Sequence, residues 1–235
     1  MLYSIGINTD GFGSQYHAFM SGIAYAEFMG YTYVHTSIRV IDHQANVDEM
    51  NNFIGIPETP LTEEQFYSKK MEVYSKVVFD SPTPSIYYTD KVLQKIRNYY
   101  YSTEKPKINN IDIAIHIRRG DINLNRFPER YTSNNYYKKV IEFLKNEYPN
   151  LTITIFSEGS IDQFEDLIGE NIFFKLDTCI KETFHSLVRA KVLVMAKSCF
   201  SYAAAILNEN EVYYQDYFFS KALKHWKILE NIVIP

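Results

Sequence analysis

The stretch Ile111–Asp121 reads IDIAIHIRRGD, and its pattern decides the fold. Isoleucines stand at 111, 113, 115 and 117, with Asp112, Ala114 and His116 between them and Arg118 next. Alternation of period two in β-branched residues is the pattern of a strand. Successive strand side chains point to opposite faces. His116 and Arg118 therefore share one face near the carboxyl end, and Ile115 and Ile117 share the other. Arg118, Arg119, Gly120 and Asp121 then close the strand. Open α/β sheets bind ligands beyond the carboxyl ends of their strands, so a site is expected here. A guanidinium suits a diphosphate, because its planar fork of N–H donors meets two phosphate oxygens at once.

Downstream, a loop over 122–131 precedes an expected helix over 133–148 and a strand over 151–156 that ends in Ser157, Glu158 and Gly159. A short helix over 161–168, a strand over 171–175 and a helix over 181–190 follow. A strand over 192–195 ends at Lys197 and Ser198, and a helix over 200–208 and a short strand over 212–214 complete the series. Strands and helices in alternation predict a parallel sheet covered on both faces. In such a sheet the carboxyl ends share one edge. His116 with Arg118 and Arg119, Ser157 with Glu158, and Lys197 with Ser198 and Ser201 would then gather there, as in a phosphate-and-nucleotide cleft.

Upstream, a strand over 2–8 leads into the glycine turn Thr9–Ser14, a helix over 15–29 and a strand over 31–35. A glycine turn before a helix can present backbone N–H groups to an anion, but GFGSQ lacks the full dinucleotide fingerprint and reads equally as a plain turn. Pro57, Pro60, Pro82 and Pro84 fragment the next stretch. A helix over 62–76, with Thr62 as cap, and another over 90–101 are expected. Residues 102–110 read as a linker, which predicts an amino-terminal lobe over 1–105 and a carboxy-terminal lobe over 106–235.

Composition narrows the class. The chain has 235 residues, 46% of them hydrophobic and 22% charged, as in an ordinary globular protein. Its 20 tyrosines and 16 phenylalanines point to an aromatic-rich core ahead of a sugar-stacking surface. A net charge of −4 argues against nucleic acid or a membrane surface as partner, so any anion site is local. The two cysteines, Cys179 and Cys199, form no CxxC pair, which argues against a disulfide framework and a cysteine zinc site. The first residues lack a basic, apolar leader, and Val192–Leu207 is too short and polar for a membrane span; a cytoplasmic location is expected.

HIRRGD at 116–121 resembles the arginine motif of the GDP-fucose-dependent α1,2/α1,6-fucosyltransferase superfamily. GFGSQYHAF at 11–19 resembles its amino-terminal glycine motif, and TITIFSEG at 152–159 its second motif. HSLVRAKVLVMAKSCFSYAAAILN at 185–208 resembles its third, and the tract at 136–139 is similar to the bacterial α1,2 branch. Tyr202-Ala203 stands where that branch often has paired tryptophans. The resemblance implies a GT-B-like α/β fold of two Rossmann-like lobes with parallel sheets and a cleft between them. It implies an inverting transferase that needs no metal or other cofactor and passes fucose from a nucleotide-sugar donor to a glycan acceptor.

On this resemblance Arg118 holds the β-phosphate and His116 lies against the guanine; the plainer readings are an ion pair of Arg118 with Asp112 or Asp121, and a core histidine. Arg119 either meets donor phosphate or braces the loop through Asp121. Ser157, Glu158, Ser198 and Ser201 are donor-side candidates, Ser198 equally a helix cap. Gly11, Gly13 and Ser14 would face the donor from the other lobe, or serve only turn geometry. Inversion requires a base for the acceptor hydroxyl, and Asp121, Glu129 and, with less support, His17 are the candidates.

Overall fold

The computed structural model describes residues 1–235 except 7–8, 43–44, 73–74, 217–218 and 234–235. The chain divides into two compact units, Met1–Lys105 with Phe218–Lys224, and Pro106–Tyr217 with His225–Pro235.

The first unit contains β1 (Leu2–Ile5), α1 (Phe12–Met29), β2 (Thr32–Tyr33), α2 (Val47–Ile54), α3 (Glu63–Ser68), β3 (Lys70–Glu72), α4 (Lys76–Phe79) and α5 (Asp90–Tyr101). Its strands form a parallel sheet in the order β2-β1-β3. α1 lies close on β1 because Gly22 has no side chain: a Cβ there would sit 2.4 Å from Ile5 Cγ1. Gly30 ends the helix in the left-handed conformation at φ 67°, which glycine adopts without steric cost.

Two expectations are corrected here. The helix over 62–76 is broken. α3 stops at Ser68, and Lys70–Glu72 pairs with β1 in the register Tyr3↔Lys70. Unpaired backbone on the edge of β1 outweighs local helix propensity. The glycine turn is also shorter than expected. α1 begins at Phe12 with Gly11 as its N-cap, so Gly13 and Ser14 are helical.

The second unit contains β4 (Ile113–His116), α6 (Asn134–Glu147), β5 (Ile153–Ser157), a 3-10 turn Ile161–Leu167, β6 (Ile172–Leu176), α7 (Ile180–Arg189), β7 (Val192–Val194), α8 (Cys199–Leu207), β8 (Glu211–Tyr214), β9 (Lys227–Ile228) and α9 (Glu230–Val233). All six strands are parallel, in the order β6-β5-β4-β7-β8-β9. The order runs outward from β4 in both directions, the arrangement of a Rossmann sheet, whose crevice opens beyond the first and fourth strands. Here those are β4 and β7. Ile113, Ile115 and Ile117 pack with Val140 and Leu144 of α6 and with Phe164, while His116 on the opposite face meets Phe200 of α8. The α/β class with parallel sheets is as expected; β9 and α9 lie past the last element legible in the sequence.

Candidate active site

The site grows from the carboxyl end of β4. Ile117 N still donates to Phe156 O at 2.9 Å, so the chain stays strand-like until Arg118. Arg118 Nη1 donates to Glu158 Oε2 at 3.0 Å and Nη2 pairs with Asp121 Oδ1. The guanidinium fork is thus held between two carboxylates, one from its own turn and one from the end of β5. Of the two alternative partners, Asp121 is the one used. Asp112 instead accepts from Lys191 Nζ at 2.7 Å and from Thr152. Gly120 makes the turn with φ 73°, and a Cβ there would fall 2.2 Å from Glu158 Oε2. Glycine is needed both for the backbone and for the room it leaves the carboxylate. The Arg118 side chain is 22% exposed and that of Glu158 47%. Of its two carboxylate partners Glu158 is the more exposed, since Asp121 is 29% exposed.

His116 is buried beside this pair, its ring centroid 5.5 Å from that of Phe200. Burial first, and the neighbouring Arg118 charge second, lower its pKa to about 3. The imidazole is therefore neutral, and its Nδ1 has no hydrogen-bond partner among the described residues. Ser157 Oγ donates to Ile117 O at 2.7 Å and so ties the ends of β4 and β5 together.

The β7–α8 turn meets the sequence expectation in part. Ser198 is the N-cap of α8, accepting from Phe200 N at 3.2 Å. Ser201 is completely buried, and its hydroxyl accepts from Ala196 N and donates to Ala196 O, both at 3.2 Å. These bonds shape the turn, and the side chain has no exposed surface.

Arg119 points away from Arg118. Its Nη2 donates to Asn134 Oδ1 at 2.7 Å and its Nη1 to Arg118 O at 3.0 Å, while the guanidinium lies 4.5 Å from the Tyr131 ring centroid. It is buried and acts as a brace, through Asn134 and not through Asp121. Of the base candidates, Asp121 is engaged by Arg118. Glu129 is 54% exposed with Arg130 Nε 3.8 Å away. His17 is buried within α1 and stacked on Phe79 at 4.2 Å, where burial lowers its pKa to about 3. Gly11, Gly13 and Ser14 belong to the first unit, where Ser14 Oγ donates to Asp10 Oδ2 at 3.0 Å.

The second unit therefore brings His116, Arg118, Asp121, Ser157 and Glu158 together at one sheet edge. Sequence reading placed Gly120 in the closing turn without its role beside Glu158, and it overlooked Asn134. The glycine was visible inside the motif; the asparagine gave no local signal beyond opening a helix. Among the described residues there is no group of three or more His, Cys, Asp or Glu that could hold a metal ion, and no helix long and apolar enough to cross a membrane.

Among solved structures the chain is similar to the E. coli heptosyltransferase WaaC with ADP, at 10% identity and a TM-score of 0.47, over 92% of this chain and 87% of that one. It is similar to POFUT1 in complex with GDP, at 13% identity and 0.46, over 97% and 96%. It is also similar to the NodZ α1,6-fucosyltransferase co-crystallised with GDP, a protein from Bradyrhizobium, at 14% identity and 0.44, over 87% and 92%. No curated protein matches in sequence. The model of glycosyl transferase family 11 matches residues 34–223, and the chain is a glycosyltransferase that belongs to this family, as its motifs implied.

Proposed function

We propose that this glycosyltransferase passes fucose from GDP-fucose to a hydroxyl of a glycan, with inversion and without a metal ion. The observation that carries the reading is Arg118, set at the switch point of the Rossmann sheet with an exposed carboxylate as its exchangeable partner. In the reaction the acceptor oxygen forms a bond to the anomeric carbon as the bond from that carbon to the β-phosphate oxygen breaks. Negative charge grows on the departing diphosphate, and Arg118 stabilises it where a metal would otherwise be needed. Neutral His116 lies against the guanine, as the family resemblance implies. Ser198 and the first N–H groups of α8 add donors on the phosphate side. The acceptor proton passes to a carboxylate. Asp121 is committed to Arg118, so we assign Glu129 this role; Asp121 orients the arginine.

Calorimetric titration with GDP, GDP-fucose, GDP-mannose and UDP in the presence of a chelator tests this, with Arg118→Ala alongside. GDP and GDP-fucose are expected to bind, and to lose at least about tenfold in affinity in the variant, the cost of losing a charge-assisted bidentate contact. Preferential UDP binding would assign another donor. Donor binding with neither transfer nor hydrolysis would make the chain a binding module.

A further inference from the structure

We propose that Asn134 is a positioning residue that sets the pose of Arg118 through Arg119. The inference rests on the reading of Arg118 as the diphosphate ligand. Asn134 is the first residue of α6, directly after the Ser133 cap. A helix needs nothing of this side chain, because the cap has already been supplied. All its hydrogen bonds leave the helix. Oδ1 accepts from Arg119 Nη2 at 2.7 Å, and Nδ2 donates to Gln163 O at 2.7 Å and to Asp166 Oδ1 at 2.8 Å. The orientation of the amide follows from its neighbours: a guanidinium only donates, and a carbonyl and a carboxylate only accept. One side chain thus joins the end of β4, the start of α6 and the 3-10 turn between β5 and β6.

Arg119 passes this anchorage to its neighbour. Its second nitrogen donates to the carbonyl of Arg118 itself, at 3.0 Å. The guanidinium is buried between the rings of Tyr131 and Phe164, 4.5 and 5.8 Å from their centroids. Among the hydrogen bonds of Arg119 in the described residues, Asn134 Oδ1 is the side-chain acceptor. Adjacent residues of an extended chain point to opposite faces, so fixing Arg119 on one face fixes the peptide from which Arg118 leaves on the other. Gly120 follows at once in the left-handed conformation, so the turn that carries Asp121 leaves directly from the braced peptide. A site that must meet a charge growing on an oxygen depends on donors held still beforehand, and this linkage holds one.

The test compares GDP with GMP, which lacks the β-phosphate, by calorimetry on the full chain, with folding checked by thermal melting. The wild type is expected to prefer GDP, and Asn134→Ala to lose roughly tenfold or more of that preference while its GMP affinity stays unchanged. A general loosening of the site would weaken both nucleotides alike and would overturn the proposal, as would an unchanged preference in a folded variant. The double variant Asn134→Ala/Arg119→Lys is expected to be no worse than the poorer single variant; additive losses overturn a shared path. Should Asn134→Ala not fold, Arg119→Lys reads the same link from the other side: lost GDP preference supports it and retained preference refutes it. A wild type with no preference for GDP would refute the Arg118 reading as well.

Discussion

Glu158 is the residue on which the state of the free site turns. It donates nothing and takes one arm of the Arg118 fork, so on the function proposed here donor phosphate has to compete with a carboxylate already in place. The pair is partly exposed and its strength correspondingly modest. Glu158→Gln is expected to tighten GDP binding severalfold, on the order of 0.5–1 kcal/mol, at low ionic strength, and less at high salt. Calorimetry at two salt concentrations checks this; weaker binding in the variant would mean that Glu158 itself holds the donor. The arginine was legible in the sequence because the strand pattern and the motif both point at it. Its partner was not legible as a partner. Glu158 lies 40 residues away, and only the adjacency of β4 and β5 brings the two together.

At the scale of elements, the second unit was readable because each βα pair announces itself. Its strands are short apolar runs, and its helices have capping residues such as Ser133 and Ser198. Residues 36–88 were not readable, because what fixes them is distant in sequence. The Asn51 side chain pairs with both backbone groups of Ile38, at 2.8 and 2.9 Å. α3 buries none of its residues, and β3 is a strand through β1 alone. Local pattern carries no record of such ties. The β7–α8 turn shows a related limit: Ser201 looks like a ligand by its place in the motif and is a fastener by its bonds. Ser201→Ala removes both of its bonds to Ala196 in a fully buried place. It is expected to cost about 1–3 kcal/mol, measured by urea denaturation, with wild-type stability as the contrary result.

At the scale of the whole molecule, three of the four histidines buried among the described residues couple stability to acid. Burial lowers the pKa of His17 to about 3, of His35 to about 4 and of His116 to about 3, from an ordinary 6.5. The folded chain refuses protons that the unfolded chain accepts, so this contribution is full above pH 6.5 and is lost as pH falls towards 4 and below. Each histidine adds a slope of about 1 kcal/mol per pH unit in that window. Melting temperature is expected to fall steadily from pH 6.5 downwards, before most carboxylates titrate, and less steeply in His116→Gln. A flat profile between pH 6.5 and 5 would contradict it.

The return of Phe218–Lys224 to the first unit bears on how such a protein can be recombined. Leu223 and Ser220 are buried, and Lys224 N donates to Ser85 Oγ at 2.7 Å, so the segment is built into its host. A single crossover after Lys105 would graft a foreign strip onto the first unit along with the new second one. Exchange of the sheet that carries Arg118 between relatives needs three junctions, and shuffling by one cut is closed to this architecture.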